Sequence, residues 1–133
     1  MNGIRDLRLW QEAVALGGEV TRTVRGCSRR ETRPLTDRIL HTALDVATHV
    51  AAAYERPAPT EQARGYRDAR ATLTQLDTLL AVARQAGLLS PSALQQLSTR
   101  STTVGRLLSG YLTFVDRQAD EARTSATSQA SVR

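Results

Sequence analysis

Apolar residues recur along this chain at alternating spacings of three and four, in four separate series. The first follows Asp6 and runs Leu7, Trp10, Val14, Gly17, Thr21 and Val24. The second is Leu35, Ile39, Thr42, Val46, Val50 and Ala53. The third is Tyr66, Ala69, Leu73, Leu76, Leu80 and Ala83, and the fourth Leu94, Leu97, Ser101, Val104, Leu108, Tyr111 and Val115. Spacings of three and four place each series on one face of an α-helix, the pattern of a bundle seam. Gly17-Gly18 interrupts the first helix at a helix-propensity cost of about 1 kcal/mol per glycine, acceptable where another helix approaches closely.

The breaks between the series carry helix start and stop signals. Asp6 stands where an N-cap would. Residues 26–33 (GCSRRETR) read as a basic connection, with Pro34 fit for the first helical turn, where its missing N–H matters least. Pro57 and Pro59 end the second helix, and Thr60 is placed to cap the third. Gly87 suits a C′ position with Leu88 and Leu89 for its hydrophobic contact, and Ser90-Pro91 is an N-cap and N1 restart. Beyond Gln118 the apolar period stops, and the polar run ending TSATSQASVR reads as a disordered tail. The expectation is an all-α, up-down-up-down four-helix bundle over residues 4–118, one domain, with a polar tail at 119–133.

The seams do not use all the apolar surface. Leu79, Val82 and Leu88 flank the third seam, and Leu107, Leu112 and Phe114 flank the fourth. A monomer would leave part of this exposed, so self-association is expected.

Composition agrees with helices: 41% of residues are hydrophobic, mostly Leu, Ala and Val, and only 4% are aromatic, whereas sheet cores draw on β-branched and aromatic side chains. The net charge is +5 and every basic residue is Arg. Codon bias accounts for this as readily as function does; functionally, arginine forks bind phosphate bidentately, and an acidic partner is in keeping with the charge. The single Cys27 allows no internal disulfide. With no signal peptide and no apolar run of about 18 residues, a cytoplasmic protein is expected.

Three clusters carry candidate chemistry. His41, Asp45 and His49 share a helical stripe with Arg38, but zinc needs further ligands and no Cys or third His is left to supply them. A polar contact between helices, with Asp45 accepting from an imidazole, is the expectation, and no metal or other cofactor is assigned. Arg64, Arg67 and Arg70 form a ridge on the third helix, with Arg56 before it and Arg38 facing it if the second and third helices run antiparallel. Arg29 and Arg30 add charge in the first connection, beside Arg22, Arg25 and Arg33. These arginines are the candidate nucleic-acid contacts, sequence-independent and salt-sensitive, with little base stacking because aromatics hardly interleave them. There is no nucleophile elbow, phosphate loop or Cys/His pair, so an enzyme is not expected.

Several strings resemble a known family. IRDLRLWQEAVAL, PLTDRILHTALDVATHVAAAYER, EQARGYRDARATLTQLDTLLAVARQAGLL and VGRLLSGYLTFV together resemble the bacterial four-helix bundle protein family. That family includes proteins encoded by intervening sequences of large-subunit ribosomal RNA genes, and a relative, Avd, the accessory protein of diversity-generating retroelements. The resemblance covers about residues 4 to 118 and implies a homopentamer. For Avd-like members it implies a basic assembly that binds a reverse transcriptase and RNA. The family's Arg-Arg pair is Leu40-His41 here, its Asn is His49, and its Glu-Gly is Ala52-Ala53. The function expected is therefore a non-enzymatic oligomeric accessory protein that binds RNA or DNA, as an Avd-like partner of a reverse transcriptase. The alternative is a protein-interaction scaffold without nucleic-acid binding.

Overall fold

A computed structural model describes residues 3–27 and 29–132, with side chains through residue 129. A short 3-10 turn at Gly3–Asp6 leads into α1 (Arg8–Arg25), followed by α2 (Arg33–Tyr54), α3 (Pro59–Gln85) and α4 (Pro91–Val132). Each helix packs on the one before it, and α1 closes the ring against α4. The chain is an all-α, up-down-up-down four-helix bundle, and the described residues contain no strand.

The core is aliphatic. Leu9, Leu16 and Val20 of α1, Ile39, Val46 and Val50 of α2, Leu76 and Leu80 of α3, and Leu97, Val104 and Leu108 of α4 are all at most 1% exposed. The seams of α2, α3 and α4 lie close to their sequence positions, with Leu112 buried where Tyr111 was expected. α1 differs. Its buried face is Leu9, Ala13, Leu16, Gly17, Val20 and Val24, while Val14 is 44% exposed and Trp10 only partly covered. Two overlapping stripes satisfy the helical period here, and the one carrying Leu9 and Leu16 faces inward because it buries more apolar surface.

Helix ends follow local chemistry, with two shifts from expectation. α1 begins after Leu7, which has extended φ/ψ and no side-chain cap, so Asp6 lies in the preceding turn. α3 begins at Pro59, so that proline opens a helix instead of ending one. At the far end of α3, Gly87 takes φ +82°, the Leu88 N–H reaches Ala83 O at 2.9 Å, and the Gly87 N–H reaches Arg84 O at 3.1 Å. This is a Schellman stop. Ser90 Oγ then accepts the Ala93 N–H at 3.1 Å, capping α4.

The closest helix approach is not at Gly17-Gly18. A Cβ on Gly17 would meet only Ala43 O, at an ordinary 3.8 Å, whereas one on Gly65 would lie 2.6 Å from Ala53 Cβ and 2.9 Å from Ala53 Cα. Gly65 therefore sets the α2–α3 spacing.

The polar segment after Gln118, expected as a disordered tail, is helical as far as Val132; Arg133 lies outside the described residues. No proline or glycine follows Gly110, so nothing in the sequence stops the helix, and Asp120 pairs with Arg123 within it. Ala119 is the last buried residue among those with described side chains, and residues 120–129 are exposed throughout. The helix thus continues beyond the packed part of the bundle.

Candidate nucleic-acid interface

All seven candidate arginines are exposed, but the fold does not gather them into one site. Arg29 and Arg30 lie in the α1–α2 connection. Arg56 and Arg64 lie at the opposite end of the bundle, about 30 Å away by the length of α2. Arg70 sits part-way along α3. Arg38 lines a shallow groove between α2 and α3 with Thr42, Thr74 and Thr78. The α3 ridge also splays, because at 3.6 residues per turn each three-residue step rotates about 60° round the helix, leaving Arg64 and Arg70 about 120° apart. Arg67 is engaged elsewhere: its Nη2 donates to both carboxylate oxygens of Asp116 on α4, at 2.9 and 2.7 Å. The other six have no ion pair among the described residues.

Charge is concentrated at the end that holds the α1–α2 connection. Residues 22–33 contain Arg22, Arg25, Arg29, Arg30 and Arg33 against Glu31 alone, a net +4 of the chain's +5. Removing those six residues from totals of 18 basic and 13 acidic leaves 13 against 12, so the rest of the molecule is close to neutral. The five arginines are exposed. The turn carrying Arg29 and Arg30 is shaped by Thr32, whose Oγ1 accepts the Arg29 N–H at 3.2 Å and whose own N–H reaches Arg29 O at 3.2 Å. Between this turn and the α3–α4 turn is a cleft of about 470 Å³, with Cys27, Arg29 and Thr32 on one side and Ala86, Gly87 and Leu88 on the other. Cys27 is partly buried and its thiol donates to Thr23 O at 3.1 Å.

The opposite end holds every aromatic residue of the chain. Trp10 is in the first turn of α1, Tyr54 closes α2, Tyr66 is in the second turn of α3, and Tyr111 and Phe114 lie on the adjoining stretch of α4. The Tyr66 and Tyr111 rings sit 6.0 Å apart, tilted by 42°. Burial pushes the Tyr66 phenol up to about 12, and the neighbouring Tyr111 and Tyr54 add to the shift.

The histidine stripe does not form a ligand set. His41 and Asp45 face solvent, and the described residues contain no cluster of three or more His, Cys, Asp or Glu able to hold a metal. His49 does make the expected contact between helices, but with Thr72 of α3 at 3.1 Å instead of with Asp45. Thr72 already donates its hydroxyl hydrogen to Asp68 O at 2.9 Å, which leaves His49 Nδ1–H as the donor.

Sequence reading missed one polar feature. Arg100 of α4 sits between Glu12 and Glu19 of α1, at 3.4 and 3.6 Å, in a groove of about 550 Å³ lined otherwise by Ser, Thr and Gln. Glu12 and Glu19 are seven apart and share a face, but a partner more than 80 residues away leaves no local signal. Two carboxylates against one guanidinium disfavour phosphate here.

No helix among the described residues is long and apolar enough to cross a membrane. A comparison with curated proteins gave no match. The family model for the 23S rRNA-intervening sequence protein matches residues 5–110. That span takes in α1, α2, α3 and the buried part of α4 through Leu108, and the chain belongs to the 23S rRNA-intervening sequence protein family.

Proposed function

We propose that this protein is a non-enzymatic, oligomeric accessory protein that binds nucleic acid through the arginine-rich end formed by residues 22–33. The observation behind this reading is the concentration of net +4 within those residues on a nearly neutral bundle. Arg29 and Arg30 lie at its centre. Arg38, Arg56, Arg64 and Arg70 are secondary contacts along the sides, and Arg67 serves mainly to tie α3 to α4. The family's name makes a ribosomal RNA segment the first ligand to try, and the resemblance to Avd adds a reverse transcriptase as a partner. A mobility-shift titration with structured RNA at low and moderate salt tests the proposal. Binding that weakens steeply with salt is expected, and no shift at micromolar protein in low salt would refute it.

A second reading, a protein-interaction scaffold, is favoured by the exposure of Val14, Leu44, Val82 and Phe114, each 44–54% accessible. Oligomerisation, a pentamer by the family resemblance, is the use of these faces that is compatible with both readings. Light scattering at tens of micromolar is expected to show an assembly. A protein partner that stays bound after nuclease treatment would favour the scaffold.

A further inference from the structure

The polarity of the bundle points to a more specific ligand, and we infer that the basic end recognises the phosphate backbone of a duplex, not the bases of a single strand. This rests on the nucleic-acid reading above and adds which form is bound.

Proteins that hold single strands combine positive charge with aromatic side chains on which successive bases stack. Here the two are separated by the length of the bundle. The five arginines occupy one end, while Trp10, Tyr54, Tyr66, Tyr111 and Phe114 occupy the other, about 25 Å away along α1. Tyr66 is also buried and tied into ring packing with Tyr111. A strand bound at the arginines therefore finds no stacking platform. The same segment contains no Asn or Gln for bidentate reading of adenine, and its one carboxylate, Glu31, stands among five arginines.

What remains is charge. Arg22 and Arg25 project from the last turns of α1, Arg29 and Arg30 from the connection, and Arg33 from the start of α2, so they spread across a blunt end instead of lining a channel. A purely electrostatic reader gains most from the densest phosphate array. A duplex carries one charge per about 1.7 Å of axis and releases about 0.9 counterion per phosphate neutralised, against about 0.7 for a single strand.

The experiment is fluorescence anisotropy of the full chain with a 20-base-pair duplex and with each of its strands, as RNA and as DNA, over a range of salt. The duplex is expected to bind more tightly than either strand, with little dependence on sequence. Its log K against log salt slope should approach −4.5 per protomer if all five arginines engage, against about −3.5 for a strand. Arg29→Gln with Arg30→Gln should lower the duplex slope by about two, while Arg106→Gln with Arg117→Gln, both exposed on α4 and outside the proposed surface, should leave it nearly unchanged. Far-UV circular dichroism checks that both double variants keep the fold. A single strand bound as tightly as the duplex, or a slope moved by the Arg106/Arg117 pair and not by Arg29/Arg30, would overturn this inference but leave nucleic-acid binding intact. No binding of any of the six ligands overturns both. A preference between RNA and DNA duplexes identifies the source of the phosphates.

Discussion

The two ends of the bundle are built from different chemistry. At one, five exposed arginines surround a short connection held by the Thr32 hydroxyl, and the core beneath ends in the small aliphatic Val24. At the other, five aromatic rings gather where α2 turns into α3, with Tyr66 only 3% exposed and Gly65 drawing α2 and α3 together. The tight approach of α2 and α3 at Gly65 lies at the aromatic end, and the excess positive charge lies at the other. Stability and recognition can therefore be perturbed separately.

The strongest challenge to that separation is Tyr66→Ala. Truncating a buried aromatic is expected to lower unfolding free energy by about 3–5 kcal/mol in urea denaturation, while the salt slope of nucleic-acid binding by the folded fraction stays the same. Gly65→Ala follows. Its new methyl collides with Ala53, and overpacking of this kind costs about 1–3 kcal/mol, less the helix-propensity gain from Ala. Adding Ala53→Gly should recover part of the loss, and a double-mutant cycle that shows no coupling would mean the helices are not in contact there.

A smaller effect is expected from pH. Because burial raises the Tyr66 phenol to about 12, above its value of about 10 in the unfolded chain, the folded state holds that proton more tightly. Its contribution is fully present below pH 10 and is lost as pH rises towards 12, a change of no more than about 3 kcal/mol. Thermal melts of Tyr66→Phe should show less of this alkaline decline. The smallest stability change is expected from Arg29→Gln with Arg30→Gln, within about 0.5 kcal/mol by the same melts, since both side chains are exposed and unpaired among the described residues. A large loss there would mean that the two ends are not independent.

Local pattern carried most of the fold. The seams of α2 and α3, the Schellman stop at Gly87 and the Ser90 cap all arise from residues near one another in sequence, where periodicity and capping act directly. What the sequence left undecided involved competition or distance. α1 has two valid stripes, and only the neighbouring helices select Leu9 and Leu16 over Val14. The tight approach at Gly65 depends on which residue of α2 lies opposite, and it is Ala53. The candidate interface divides in the same way. A ridge of arginines at three-residue spacing is conspicuous in sequence, yet helical rotation spreads it and Asp116 claims Arg67. The charge bias of residues 22–33 was present in sequence, but its isolation emerges only when the bundle sets it opposite the aromatic residues.

One helix of the bundle has an unequal life along its length. α4 is continuous from Pro91 to Val132, but none of its side chains from residue 120 to residue 129 is buried. A helical segment of about ten residues with no buried side chain is marginal in water, so these turns open without waiting for the bundle to unfold. In hydrogen exchange, amides near Val104 and Leu108 are expected to exchange only through global opening, and those beyond residue 120 almost freely. A geometrically uniform rod thus spans nearly the whole range of local stability that the protein possesses.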